Sequence, residues 1–185
     1  VSLNVNEDGT LTLITGSPDI GGSRASMCNM AAEELGIDVA LINPIIADTS
    51  ILGFNFLSAG SRTTFACGLA TIEAARNAIE NMRKRVAQLW DIPFDSVIWE
   101  DGAARPASSN AGEFDPMTLP EIAKIAPKTG GPIAGHAEIN AQGAGPGFGV
   151  HMVDVEVDKE TGHVKVLRYT VIQDAGKAIH PSYVE

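Results

Sequence analysis

Two stretches of this chain set glycine, serine and arginine directly ahead of an apolar helical pattern. They are Gly21-Gly22-Ser23-Arg24 and Gly60-Ser61-Arg62, the second running on into Thr63 and Thr64. The chemistry that suits such turns is oxyanion binding. The first turn of a helix leaves backbone N–H groups unpaired and carries the positive end of the peptide dipoles. Glycine lets a ligand approach the backbone and hydroxyls add donors, so a phosphate fits there, with Arg24 and Arg62 close enough to add charge. The commoner duty of Ser23, Ser61 or Thr63 in this position is structural, as a helix N-cap with no ligand.

Other chemistries find less support. No G-x-x-x-x-G-K-[ST] occurs, which excludes a P-loop, and no G-x-S-x-G occurs for a serine nucleophile. The series Gly143, Gly145, Gly147, Gly149 is interrupted by Pro146 and leads into a strand, whereas a dinucleotide fingerprint opens a helix. His136, His151, His163 and His180 share no metal-binding spacing, and His163, just after a turn, reads as exposed. Cys28 and Cys67 are too few for an iron–sulfur or structural zinc site and read as buried thiols in a reducing compartment. Asp48 at a strand end is expected to accept hydrogen bonds from turn amides.

The elements that position the two turns follow from periodicity. Val1, Leu3 and Val5, a turn at residues 6–9, then Leu11 and Leu13 predict a β-hairpin. Met27, Met30, Ala31 and Leu35 predict a helix, with Ser23 as N-cap and Gly36 as stop. A short strand is expected between Val39 and Ala47. Phe65, Leu69, Ile72, Ala75, Ile79, Met82, Val86 and Leu89 form the three-and-four stripe of one long helix, with Glu80 and Lys84 paired on its wet face and Asp91-Ile92-Pro93 ending it. Beyond it come a strand at residues 97–100, a loop over 103–117, a short helix at Leu119 to Ile125 with Pro120 in its first turn, and one strand near His136 to Asn140. Val153, Val155 and Val157, a turn at 159–162, and Val164, Val166 and Leu167 predict a long hairpin whose Asp154, Glu156 and Asp158 face water. The fold class is α+β: mainly antiparallel hairpins with two substantial helices packed on the sheet, residues 1–185 forming a single partial domain.

Composition bounds the partners. The 185 residues are 44% hydrophobic, enough for a real core, and carry a net charge of −10 with no Lys/Arg cluster, against a nucleic-acid or acidic-membrane surface. No apolar run spans a membrane and the first residues lack signal-peptide character. A cytoplasmic location is the expectation.

Four motifs taken in order add a resemblance. DGTLTLITGSPDIGGSRASMCNMAAEELGI, ADT, SAGSRTTFACGLATIEAA and FGVHMVDVEVDKETGHVKVLRYTVIQDAGKAIHPSYVE resemble the large, molybdenum-binding subunit of the xanthine dehydrogenase and aldehyde oxidase family. The resemblance implies hydroxylation of aldehydes or N-heterocycles with oxygen from water. It implies molybdopterin, free or as its cytosine dinucleotide, carrying the molybdenum; iron–sulfur and usually FAD domains or subunits; and the remainder of the molybdenum-binding subunit as partners. It places Gly60, Ser61 and Thr63 against the pterin and Gly21, Gly22 and Ser23 beside its phosphate. There the chain departs from the family, having no Gln in the turn, so recognition rests on backbone contacts. The family's catalytic glutamate matches no residue here, so no catalytic and no metal-ligating residue is assigned, and an isolated chain is expected to hold no cofactor and to be inactive. A non-catalytic α+β binding or assembly module is the other class left open.

Overall fold

The alternation of Leu3 with Leu11 and Leu13 is realised as an antiparallel pair, β1 (Ser2–Val5) and β2 (Leu11–Thr15), in a computed structural model that describes residues 1–143 and 146–184. Ala144 and Gly145, inside the glycine-rich run, and Glu185 lie outside the described residues. The chain divides into two units, Val1–Gln142 and Gly143–Glu185.

In the first unit β2 leads through the loop 16–22 into α1 (Ser23–Leu35), which returns to β3 (Ile42–Ile46). β3 pairs with β2 in parallel, Leu11 opposite Ile42 and Thr15 opposite Ile46, so β2-α1-β3 is a βαβ unit within an otherwise antiparallel sheet. The order is β3-β2-β1-β7, with β7 at Ala134–His136. β3 is an edge strand, which is why Pro44, lacking an N–H, is tolerated there. The strand expected near His136 to Asn140 thus lies earlier and ends at His136.

After β3 a loop, then a π-helical turn (Thr63–Cys67), open α2 (Gly68–Trp90). The helix is as long as its periodicity predicts, and Glu80 and Lys84 are paired at 2.6 Å. Its buried face keeps the predicted stripe at Ala75, Met82 and Val86 but shifts toward small residues and leaves two of the stripe's leucines outside. Ala70, Ala74, Ala75, Ala78, Met82 and Val86 are buried, whereas Leu69 and Leu89 are 38% and 47% exposed. The cause is close approach to the sheet: a Cβ at Gly135 of β7 would meet the Ala74 carbonyl. Alanines therefore face Leu3, Leu11 and Leu13, all fully buried in the same core.

A three-stranded sheet of β4 (Val97–Glu100), β5 (Ala103–Pro106) and β6 (Met117–Thr118) follows. Residues 103–106 are thus a strand, not loop; Asp101 and Gly102, both left-handed, make the turn that folds it onto β4. α3 (Leu119–Ile125) lies where Pro120 placed it, capped reciprocally by Thr118 and Glu121. The second unit is a hairpin of β8 (Phe148–Val157) and β9 (Val164–Asp174). Its register shifts between Asp154, opposite Arg168, and Val155, opposite Val166, leaving Leu167 as the bulge residue where the alternation breaks. Asp154, Glu156 and Asp158 are exposed, but so are Val153, Val155 and Val157, so burial does not follow the alternation, and Arg168 pairs with Asp154 at 2.6 Å.

Candidate functional site

Because β2 and β3 are parallel and end level, both chains leave the sheet at one end, and each then turns into a helix. The carboxyl end of a parallel strand pair is where open α/β units bind ligands. The loop that follows each strand leads into one of the two glycine-rich turns. Their loops touch: a Cβ at Gly16 would lie 2.7 Å from the Cβ of Asn55. A cavity of about 440 Å³ opens there, walled by Thr15, Gly16, Asn55, Arg62, Cys67 and His136 among others. α1 packs along α2 and its π-helical turn, with Thr71 Oγ1 3.6 Å from Met27 Sδ and Arg76 bonded to Glu34 at 2.8 Å.

The first turn is satisfied from within. Gly21 and Gly22 are both left-handed (φ 61° and 77°), and Gly22, not Ser23, occupies the N-cap position of α1. Ser23 is the first helical residue and 8% exposed; its Oγ accepts from the Ile20 amide at 3.2 Å and lies 3.4 Å from the Pro18 carbonyl. The expected N-cap is corrected: two successive left-handed residues displace the cap by one position, and the serine ties the loop down instead. Asp19 supplies the negative charge, accepting the Arg24 amide at 2.9 Å, with the Arg24 guanidinium 3.5 Å from its other oxygen.

The second turn has no such internal anion. Gly60 (φ 61°) and Ser61 (φ 56°) are both left-handed, Arg62 sits at the N-cap position, and no side chain caps the helix. The capping role open to Ser61 and Thr63 is thus not the one observed. Ser61 is exposed and Thr63 half-buried, and a Cβ at Gly60 would meet nothing within 4 Å. The Arg62 guanidinium turns back, donating to the Phe56 and Leu57 carbonyls at 3.1 and 3.4 Å and lying 5.6 Å from the Phe56 ring centre. Arg24 is thus paired with Asp19, whereas Arg62, bonded to neutral carbonyls, keeps its positive charge at the cavity wall.

Two further hydroxyls belong to these loops: Ser17, which sequence reasoning passed over, and Ser58, which begins the SAGSRTT motif. Ser17 Oγ and Ser58 Oγ are buried without a hydrogen-bond partner, one in each loop. A buried hydroxyl left unpaired costs about 1–3 kcal/mol, so each loop holds a polar group that the protein does not satisfy. Serine in a glycine loop carried no distinguishing signal, but the strand-loop-helix-strand order of residues 11–46 could have revealed the parallel pair.

The carboxylates that could invite a catalytic reading are engaged within their own loops. Asp48 Oδ1 accepts from the Ser50 hydroxyl and amide at 2.6 and 2.9 Å, bonds that hold its carboxyl below the usual range. Asp174 accepts the Gly176 amide at 2.9 Å. Cys28 and Cys67 are buried free thiols, and burial pushes Cys28 up. Among the described residues no cluster of His, Cys, Asp or Glu could hold a metal, and no helix is long and apolar enough to cross a membrane. The left-handed Gly60 with open space beside it leaves the start of the helical segment accessible to an oxyanion-bearing ligand, while none of Gly21, Gly22, Ser23, Gly60, Ser61 and Thr63 is among the residues that wall the cavity.

The comparisons with known proteins agree. The chain is 26% identical over 97% of its length to subunit gamma of the 6-hydroxypseudooxynicotine dehydrogenase complex of Paenarthrobacter nicotinovorans, spanning 23% of that protein. It is 29% identical over 89% of its length to the carbon monoxide dehydrogenase large chain of Hydrogenophaga pseudoflava, spanning 21% of it. The chain thus spans under a quarter of either relative. A crystal structure of the Cu,Mo-CO dehydrogenase shares the fold at a TM-score of 0.76 and 20% identity, over 99% of this chain and 23% of that one. The family described as the molybdopterin cofactor-binding domain matches residues 1–185 throughout, and the chain belongs to it.

Proposed function

We propose that this chain is the part of a molybdenum hydroxylase that grips the pterin cofactor, with Gly60, Ser61 and Thr63 as the principal contact and Gly21, Gly22 and Ser23 as the secondary one. What supports the assignment is that the loop after each of the parallel strands β2 and β3 leads into a glycine-containing helix start, in a chain matched end to end by the cofactor-binding family. Backbone N–H groups after Gly60 and the Ser61 and Thr63 hydroxyls would donate to the cofactor's oxygens and nitrogens, reinforced by the α2 dipole. At the first turn Asp19 already occupies the positive end of α1, which leaves backbone approach at Gly21 as the contribution.

The bound cofactor supplies the molybdenum and its two-electron oxidation of an aldehyde or N-heterocycle, with oxygen from water. This chain's residues would orient the cofactor at the open turn. None is proposed as the base, since Asp19, Asp48 and Asp174 spend their carboxylates on neighbouring amides. The remainder of the molybdenum-binding polypeptide completes the site, and iron–sulfur and flavin groups accept the electrons. The pterin is held free or as its cytosine dinucleotide, and the protein works in the cytoplasm, where two unbridged thiols persist.

The test is cofactor content. The full-length parent protein is purified and its molybdenum and pterin are measured per chain. Stoichiometric molybdenum is expected; a parent protein expressed with ample molybdate that carries neither molybdenum nor pterin overturns the assignment.

A further inference from the structure

The segment 56–61 combines two unfavourable features. Ser61 holds a left-handed backbone that non-glycine residues rarely adopt, and Ser58 buries its hydroxyl without a partner. Such features persist only where the surroundings impose them. What imposes them is visible. One Arg62 nitrogen reaches back to the carbonyls of both Phe56 and Leu57, and the guanidinium lies over the Phe56 ring, closing a loop of six residues on the helix start. The Arg62 amide closes it again on the Ala59 carbonyl at 3.4 Å. The side chain is therefore spent within the protein, although it borders the cavity.

We infer that Arg62 is a positioning residue for the cofactor turn: it latches the segment 56–61 in the conformation that presents Gly60 and Ser61. This rests on the proposed pterin-binding role of that turn. The latch acts through geometry rather than charge. Both carbonyls are bonded by one nitrogen at the tip of the guanidinium while the planar group covers the ring; a lysine ammonium sits on a shorter side chain and has no plane to lay over the ring. Arg62→Lys therefore separates a latch from a direct ionic contact with the cofactor, because lysine keeps the charge and loses the reach and the plane.

The experiment uses the full-length parent and two readouts, amide hydrogen exchange over residues 56–61 and molybdenum retained per chain after gel filtration. Arg62→Met and Arg62→Lys are each expected to raise exchange in that segment about tenfold, the signature of a local opening, with little change in the melting temperature of the cofactor-free parent. Both should lose molybdenum. Phe56→Leu, which removes only the ring, should raise exchange by a smaller factor. Arg62→Lys with unchanged exchange and unchanged molybdenum overturns the latch. Arg62→Lys with unchanged exchange, beside an Arg62→Met that loses molybdenum, also overturns it and assigns a direct ionic contact. If the arginine variants do not fold, Phe56→Leu decides, and unchanged exchange there overturns the proposal. A wild-type parent without cofactor defeats the pterin-binding role alone, since the exchange measurements still judge Arg62.

Discussion

The two helix starts share Gly-Ser-Arg in sequence and differ in what they do with it. At α1 the serine is folded under the loop, the arginine pairs with Asp19, and the helix start already has its anion. At α2 the serine is exposed in a left-handed conformation, the arginine braces the preceding loop, and no side chain caps the start. The same three residue types thus build one self-contained turn and one that leaves its donors outward. What separates them is a carboxylate five residues before the arginine. An anion-binding helix start is recognised less by its glycines than by the absence of an internal acceptor.

The sharpest way to break this comparison is to remove the outward hydroxyls. Ser61→Ala with Thr63→Val should lower cofactor affinity more than tenfold, since each hydrogen bond to a charged group is worth about 1.5–3 kcal/mol. The melting temperature of the cofactor-free parent should barely move, because neither hydroxyl caps α2. Molybdenum per chain measured beside the melting curve checks both, and a lower melting point with full occupancy would restore the capping role. Ser23→Ala should do the opposite, costing about 1–2 kcal/mol of stability by stranding the Ile20 amide, with a smaller loss of cofactor. Chemical denaturation of the cofactor-free parent measures it.

Asp19→Asn probes the internal anion directly. Removing its charge from the α1 start should cost about 0.3–1 kcal/mol. It also relieves repulsion of an approaching phosphate, so cofactor retention should hold or rise while stability falls slightly. A retention loss as large as that of the Ser61 and Thr63 double variant would show that the two turns are equivalent after all.

Which of these features the sequence disclosed depends on how local they are. α3 with Pro120 in its first turn, the Asp101-Gly102 turn and the long hairpin were legible because each is specified by neighbours a few residues apart. The glycines at positions 21, 22 and 60 were legible for the same reason, as left-handed positions ahead of a helix. The parallel pairing of β3 with β2 was not, since no residue in either strand names its partner. The alanine face of α2 was hidden because hydrophobic size points to Leu69 and Leu89, while the close approach of Gly135 selects for small side chains. Most costly for the site, the roles of Ser23 and Arg62 depend on which way a side chain turns back, and a one-residue shift of the cap reverses it.

The smallest effect uses α3 as the internal reference, for it is a start that does carry a side-chain cap. Thr118 donates its amide and its hydroxyl to Glu121 at 2.7 Å each. The hydroxyl bond first, then the amide bond, holds the Glu121 carboxyl below its ordinary value of 4.5. A carboxyl lowered on folding contributes stability that is fully present above its ordinary value and is lost as pH falls through the lowered one. The start of α3 should therefore loosen as pH drops below 4.5, in step with protonation of Glu121. α2 has no acidic residue in its first turn, and neither does the π-helical turn before it, so that start has no carboxylate cap to lose. Hydrogen exchange of residues 117–122 and 60–66, each normalised to its intrinsic rate, follows both across the acid range. Only the first segment should lose protection with the titration of Glu121, and Glu121→Gln should flatten its profile. A matching acid transition at the α2 start would mean that an acidic partner sits there, and the distinction between the two kinds of helix start would fall.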